Sequence, residues 1–166
     1  GHSLGKKKCR DYKAIFKTKY APGVLEAVAY RADGQECGRN CLQSAEGPMH
    51  ICAEPEEKEI TVDDIVYIPV EIRGKNDVVE SMDCRLNVSV TGGTLLGFGS
   101  ANPCTEEAYD TGCFQTYQGR ALAVVKGDTP GKIKVTVKCE NSGMPEAEAI
   151  VSVKMKNAEE ALQEVD

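Results

Sequence analysis

Strict alternation of apolar and polar residues is the feature that most constrains what this sequence can fold into. In residues 132–139, lysine or threonine at each even position alternates with isoleucine, valine or cysteine at each odd one. A period of two also occurs in residues 60–73, 83–91 and 146–155. Side chains of a β-strand point alternately to opposite faces, so this pattern predicts half-buried antiparallel strands. The predicted inward residues include Val66, Ile68, Val70, Ile72, Ile133, Val135, Val137, Ala147, Ala149, Val151, Val153 and Met155.

Turn-forming sequences separate the alternating segments. They include Pro22-Gly23, Asp33-Gly34, Gly92-Gly93, Thr129-Pro130-Gly131 and Asn141-Ser142-Gly143. Glycine accepts backbone conformations that other residues avoid and proline fixes one torsion angle, so such sequences reverse the chain. Short alternating strands between turns are typical of a β-sandwich. We therefore predict an all-β fold without an internal helix.

A charged stretch that contains proline, residues 55–58, marks the predicted domain boundary. We predict strands from a preceding domain in residues 1–54, a complete sandwich in 55–155 and an acidic, helix-prone tail in 156–166. The first part has four predicted strands, at 3–9, 12–20, 24–31 and 35–45. Four strands are too few for two covered sheets. One side of its second predicted strand carries Tyr12, Ala14, Phe16, Thr18 and Tyr20. We expect the second part, another chain or preceding strands to cover this face.

The composition argues against several classes of function. The formal net charge is −6, which disfavours nucleic acid or an anionic membrane as a partner. No apolar run in the sequence approaches the roughly 20 residues that a membrane span requires. Aromatic residues make up 5% of the 166 residues and tryptophan is absent, which argues against a dedicated carbohydrate-binding module.

The sequence has eight cysteines but no Cys-x-x-Cys motif, and neither of its two histidines has zinc-like spacing from a cysteine pair. We therefore predict no metal and no cofactor. Cys84 and Cys139 are in phase with apolar strand faces, and we interpret them as small buried hydrophobic residues. Cys104 and Cys113 flank a polar loop. They would form a disulfide in an oxidising compartment, but we favour reduced thiols.

Ordered motifs along the chain give it a family resemblance. In the first part they are Ser3-Leu4-Gly5 and residues 20–30 and 44–48; in the second they are residues 92–103, 114–125 and 129–133. In this order they resemble the C-terminal immunoglobulin-like domains of family 2 glycoside hydrolases of the β-galactosidase type. One departure is Ser100-Ala101-Asn102, where the family has Asn-Gly-Asp, and it puts a polar role of that loop in doubt.

The resemblance implies a fold, a source and a set of partners. The expected fold is an immunoglobulin-like β-sandwich preceded by an incomplete immunoglobulin-like strand segment. The expected source is bacterial, and we favour the cytoplasm over secretion. The expected partners are the catalytic barrel and neighbouring domains of a parent enzyme, with a homodimer as a further possibility and no nucleic acid or membrane.

No residue is predicted to be catalytic. Retaining glycosidases need two carboxyl groups roughly 5–5.5 Å apart, and the resemblance implies that both lie on a (β/α)₈ barrel, for which this sequence has no repeat. Glu106-Glu107 is therefore interpreted as a solvated surface. Loops at the end of a sandwich collect binding groups, so loop 97–119 is the predicted contact surface, unless it is a long structural loop. Its substrate-contact candidates are Asn102, Glu106, Tyr109, Asp110 and Tyr117.

Three hypotheses for function follow. The leading one is a non-catalytic accessory domain that supports the catalytic barrel of a family 2 glycoside hydrolase, so the chain alone is not an enzyme. The second is a bacterial immunoglobulin-like adhesion module or carbohydrate-binding module, which would need an exposed aromatic platform. The third is a zinc or redox function of the cysteines.

Overall fold

The computed structural model describes residues 1–156, and all of their regular secondary structure is β-strand. The strands are β1 Val24–Tyr30, β2 Glu36–Gln43, β3 His50–Ala53, β4 Glu59–Thr61, β5 Ile65–Arg73, β6 Arg85–Thr91, β7 Thr94–Gly99, β8 Cys113–Gln115, β9 Arg120–Lys126, β10 Gly131–Cys139 and β11 Ala147–Lys154. The predicted all-β class is confirmed. A search of these residues finds no helix with the length and apolar character of a membrane span. The predicted acidic tail lies, from residue 157 onward, outside the described residues.

The chain divides into two compact units between Gln43 and Ser44. We predicted this boundary at residue 54, and the structure moves it towards the N-terminus. The reason is strand β3, which the prediction assigned to the first part. It pairs antiparallel with β5 of the second unit, with Ile51 opposite Ile72, and Ile51 is buried in the core of that unit.

The first unit consists of one antiparallel hairpin, β1–β2, and the irregular residues before it. At its turn, the Asp33 carboxylate accepts a hydrogen bond from the Gln35 amide at 2.9 Å. The strands predicted at 3–9 and 12–20 do not form; the described residues there contain only an isolated bridge between Arg10 and Lys13. Tyr12 is fully exposed. A strand without a neighbour leaves its backbone N–H and C=O groups unpaired. These two segments would therefore gain no backbone hydrogen bonds by forming strands, although their residues alternate.

The second unit is a sandwich of two sheets. One sheet has the order β4-β11-β10-β6-β8 and the other has the order β3-β5-β9-β7. All neighbours are antiparallel except β4 and β11. The inward-facing side chains of both sheets form one core, and the predicted alternation is confirmed at Ile68, Ile133 and Val151, which have no exposed surface.

The alternation fails at three places. Residues 60–73 were predicted as one strand, but Asp63, with a φ of 73°, breaks it into β4 and β5. Met155 was placed inward, but it follows the last residue of β11 and is 68% exposed. Cys84 and Cys139 pack against the core but remain only half-buried, since Cys84 directly precedes β6 and Cys139 is the last residue of β10.

Candidate binding cleft on the four-stranded sheet

A cleft of about 700 Å³ opens on the four-stranded sheet of the second unit. Its floor is formed where β7 and β9 pair, with Gly97 opposite Val124 and Gly99 opposite Leu122. At Gly97 an added Cβ would meet nothing nearer than 3.7 Å, whereas the space above Gly99 is taken by the ring of Tyr109. The lining residues are Gly97, Phe98, Gly99, Ser100, Ala101, Tyr109, Tyr117, Gln118, Arg120, Ala121, Leu122 and Val124.

Tyr109 forms one wall of the cleft and is fixed by three contacts. Its ring stacks on the buried ring of Phe114 with centroids 5.0 Å apart and an interplanar angle of 17°. Its carbonyl oxygen accepts a hydrogen bond from the Phe98 amide at 2.7 Å. The ring also occupies the space that a side chain at Gly99 would need, so glycine is required there. Despite these contacts Tyr109 is 53% exposed.

The hairpin turn before β9 forms one end of the cleft. Tyr117 and Arg120 exchange two backbone hydrogen bonds, of 2.9 and 3.1 Å. Gln118 and Gly119 between them have φ angles of 51° and 74°, the left-handed geometry of a tight hairpin turn. The Asp83 carboxylate accepts a hydrogen bond from the Gln118 amide at 2.9 Å. Three residues of this turn, namely Tyr117, Gln118 and Arg120, therefore reach the cleft.

Charges at this end of the cleft are paired. The Arg120 guanidinium donates to Glu71 at 3.2 Å, and Arg73 donates to the same carboxylate at 2.8 Å. Arg73 also pairs with Glu54 and Asp77. The hydrogen bond that Arg73 donates to Glu71 is the main reason that the pKa of Arg73 lies above its usual value. Three carboxylates thus face two guanidinium groups, and no acidic side chain of residues 1–156 lines the cleft itself.

Two of the five predicted contact residues line the cleft, namely Tyr109 and Tyr117. Asn102 instead stabilises a turn, since its side-chain oxygen accepts from the Cys104 amide at 3.0 Å. Glu106 and Asp110 are exposed and do not line the cleft. Glu107, interpreted as a solvated surface residue, accepts a hydrogen bond from Arg85 at 2.7 Å.

Four lining residues lie outside the predicted loop 97–119 and were missed, namely Arg120, Ala121, Leu122 and Val124, and Gln118 within the loop was not among the candidates. A signal for Leu122 was present. Residues 120–126 alternate, and Ala121, Ala123 and Val125 fill the core, so Leu122 and Val124 are apolar residues on the outward phase of the strand. Ser100, next to β7, has a buried side-chain oxygen without a hydrogen-bond partner among the described residues.

All eight cysteines are free thiols, including Cys104 and Cys113. Burial, followed by the neighbouring Cys139, raises the pKa of Cys84 to about 11, so this thiol stays protonated at neutral pH. Within residues 1–156, no three metal-ligating side chains come together.

Two family models match the chain. Residues 51–149 match "Glycoside hydrolase family 2 C-terminal domain 5", and residues 1–38 match "Domain of unknown function (DUF4982)". The two matches fall on either side of the division between Gln43 and Ser44. The search of curated proteins gave no match.

Solved structures with this fold are parts of larger proteins. A glycosyl hydrolase family 2 member from Bacteroides cellulosilyticus is 29% identical with a TM-score of 0.84, and the match covers 92% of this chain and 22% of the relative's chain. A beta-glycosidase from Bacteroides vulgatus is 24% identical with a TM-score of 0.68, covering 81% and 18%. A beta-glucuronidase from glycoside hydrolase family 2 shares the fold at 11% identity and a TM-score of 0.74, covering 86% and 15%.

The chain therefore spans about a fifth of the length of these structural relatives. The fold, the resemblance of its motifs and the family match over residues 51–149, which is more than half of the chain, agree with one another. This chain belongs to the family of C-terminal domains, numbered 5, of glycoside hydrolase family 2.

Proposed function

We propose that this chain is the non-catalytic C-terminal part of a family 2 glycosidase of the β-galactosidase type, in which it supports the catalytic barrel. The observation that carries the proposal is the match of residues 51–149 to a C-terminal domain model, together with the 22% coverage of a family 2 relative. Because the chain corresponds to such a small share of that enzyme, the rest of the parent polypeptide is long enough to contain the catalytic barrel, which typically needs roughly 250 residues.

The chemistry of the cleft supports the same proposal. Retaining glycosidases place two carboxyl groups roughly 5–5.5 Å apart across the sugar bond. Among the described residues, those that line this cleft include no aspartate or glutamate. Glu71, the carboxylate that pairs with the lining residue Arg120, also accepts a hydrogen bond from Arg73, so both of its oxygens are engaged in ion pairs.

An activity assay tests the non-catalytic role directly. The 166-residue chain is expected to leave 4-nitrophenyl β-galactoside unhydrolysed, whereas the parent polypeptide with its barrel hydrolyses it. Removing this chain from the parent is expected to lower the parent's melting temperature, because the surface that the barrel shares with it would become exposed. Hydrolysis that co-elutes with the isolated chain would contradict the proposal, as would an unchanged melting temperature after removal.

The first unit supports a proposal about partners. Its apolar side chains are largely exposed: Ile15, Val24 and Leu42 are 69%, 63% and 69% exposed. We propose that neighbouring domains of the parent cover them, and that a second copy of the chain does so when those domains are absent. Light scattering tests the second half: a dimer is expected at micromolar concentration, and a monomer at all concentrations would contradict it.

A further inference from the structure

We infer that the cleft on the four-stranded sheet binds one ring of a neutral saccharide, with Tyr109 as its stacking platform. This binding role goes beyond the supporting role proposed above. It is a property of the isolated chain and does not require a catalytic partner. The observations behind it are the fixed aromatic ring, the unpaired polar groups at the cleft and the charge balance around it.

The platform is preorganised. An exposed aromatic side chain normally loses rotamer freedom when a ligand stacks on it, and that loss weakens binding. Stacking on Phe114 and contact with Gly99 already fix the ring of Tyr109, yet the residue is 53% exposed. Leu122 and Val124 extend the apolar surface beside it. Such a surface complements the C–H face of a pyranose ring.

Polar groups at the cleft complement the hydroxyls of a sugar. The hydroxyls of Tyr109 and Tyr117 and the side-chain amide of Gln118 make no hydrogen bond to any described residue. A phenol can donate or accept, and an amide can do both. A mostly apolar pocket with a few unpaired polar groups is the usual form of a small-molecule site, and roughly 300–1,000 Å³ is its usual size.

The charge balance selects a neutral ring over an acidic one. The only cationic side chain that lines the cleft, among the described residues, is Arg120, and Glu71 already neutralises it. Arg73, which shares Glu71 with Arg120, also pairs with Glu54 and Asp77. A uronate would therefore meet a slightly negative environment. A neutral hexose meets no such penalty, because its hydroxyls carry no charge to be repelled.

The test is a titration of the ¹⁵N-labelled 166-residue chain, followed by amide shifts. The probes are methyl β-galactopyranoside and methyl β-glucuronide. Saturable shifts at millimolar galactoside are expected at residues 97–101 and 117–124, with at least about tenfold weaker binding of the glucuronide. Tyr109→Ala is expected to weaken galactoside binding at least about tenfold. Tyr67→Ala is the matched control, because Tyr67 is also exposed, at 46%, but does not line the cleft.

A second variant keeps the inference testable if Tyr109→Ala loosens its loop. Leu122 is 38% exposed on β9, so Leu122→Lys keeps the core intact while it fills the cleft with a charge. It is expected to abolish the galactoside shifts. Absence of shifts at millimolar galactoside, equal shifts with the glucuronide, or unchanged binding in both cleft variants would overturn the inference. None of these results would affect the proposed supporting role, which the activity and deletion assays test separately.

Discussion

Replacing Gly119 with alanine tests how closely the turn at the end of the cleft is built. Gly119 has a φ of 74°, and a Cβ there would overlap the carbonyl oxygen of Glu80. The left-handed conformation alone costs an L-residue about 1–2 kcal/mol. The overlap is with backbone, which cannot rotate away, so we expect an additional cost on the order of 1–3 kcal/mol from displacement of the turn.

Gly143 provides the matched control. Its φ of 66° is close to that of Gly119, but a Cβ there meets nothing within 4 Å. Gly143→Ala should therefore show only the conformational cost, about 1–2 kcal/mol. The difference between the two variants isolates the contact with Glu80.

The assay is urea unfolding followed by far-UV circular dichroism, with thermal unfolding as a check. A loss of 1 kcal/mol corresponds to roughly 4 °C in melting temperature for a domain of this size. Gly119→Ala should thus melt several degrees below Gly143→Ala. Equal losses for the two variants, or a larger loss for Gly143→Ala, would refute the steric argument for the turn.

Three further predictions follow from buried and hydrogen-bonded groups. Ile68 has no exposed surface, so Ile68→Ala should lower the free energy of unfolding by about 2–5 kcal/mol in urea titration; a loss under about 1 kcal/mol would contradict the packing. The raised pKa of Cys84 predicts slower alkylation than at exposed Cys104 at pH 8, measured by peptide mapping, and equal rates would contradict it. Hydrogen bonds from Thr61 lower the pKa of Asp64 in the folded state. Their contribution to the free energy of unfolding is therefore complete above the pKa of the unfolded state, and it is lost as the pH falls through the pKa of the folded state. Asp64→Asn should therefore lose less stability than the wild type between pH 5 and pH 2 on the unfolding curve, and an unchanged acid limb would contradict this.

The sequence predicted the sandwich well because period-two alternation reports directly on burial. Strand β10 is the clearest case: Ile133, Val135 and Val137 are inward as predicted and completely buried. The prediction failed where alternation depends on a partner. Residues 12–20 alternate, but no strand lies beside them in their unit, so they remain irregular. The break at Asp63 was also missed, because a left-handed aspartate leaves little trace in the pattern.

The candidate cleft was predictable only in part. The place of loop 97–119 at the end of a sandwich led to five contact candidates, of which Tyr109 and Tyr117 line the cleft. It could not separate them from Asn102, Glu106 and Asp110, since what distinguishes them is the register of β7 with β9 and the turn at Gly119. Register is a tertiary property, and one sequence does not state which strand lies beside which.

The parallel pairing of β4 with β11 joins two strands that are far apart in the sequence, so we expect it to form late in folding. Ile60 lies beside Val153, near the opposite end of the same domain, and the amide of Ser152 bonds to the carbonyl of Lys58. During synthesis, β4 leaves the ribosome early but cannot dock until almost all of the domain has followed. Contacts between distant parts of a chain form late and slow folding. The position of β4 in the sheet is therefore completed only when β11, the last strand of the described residues, docks beside it, and loss of β11 would leave β4 without its partner in the sheet.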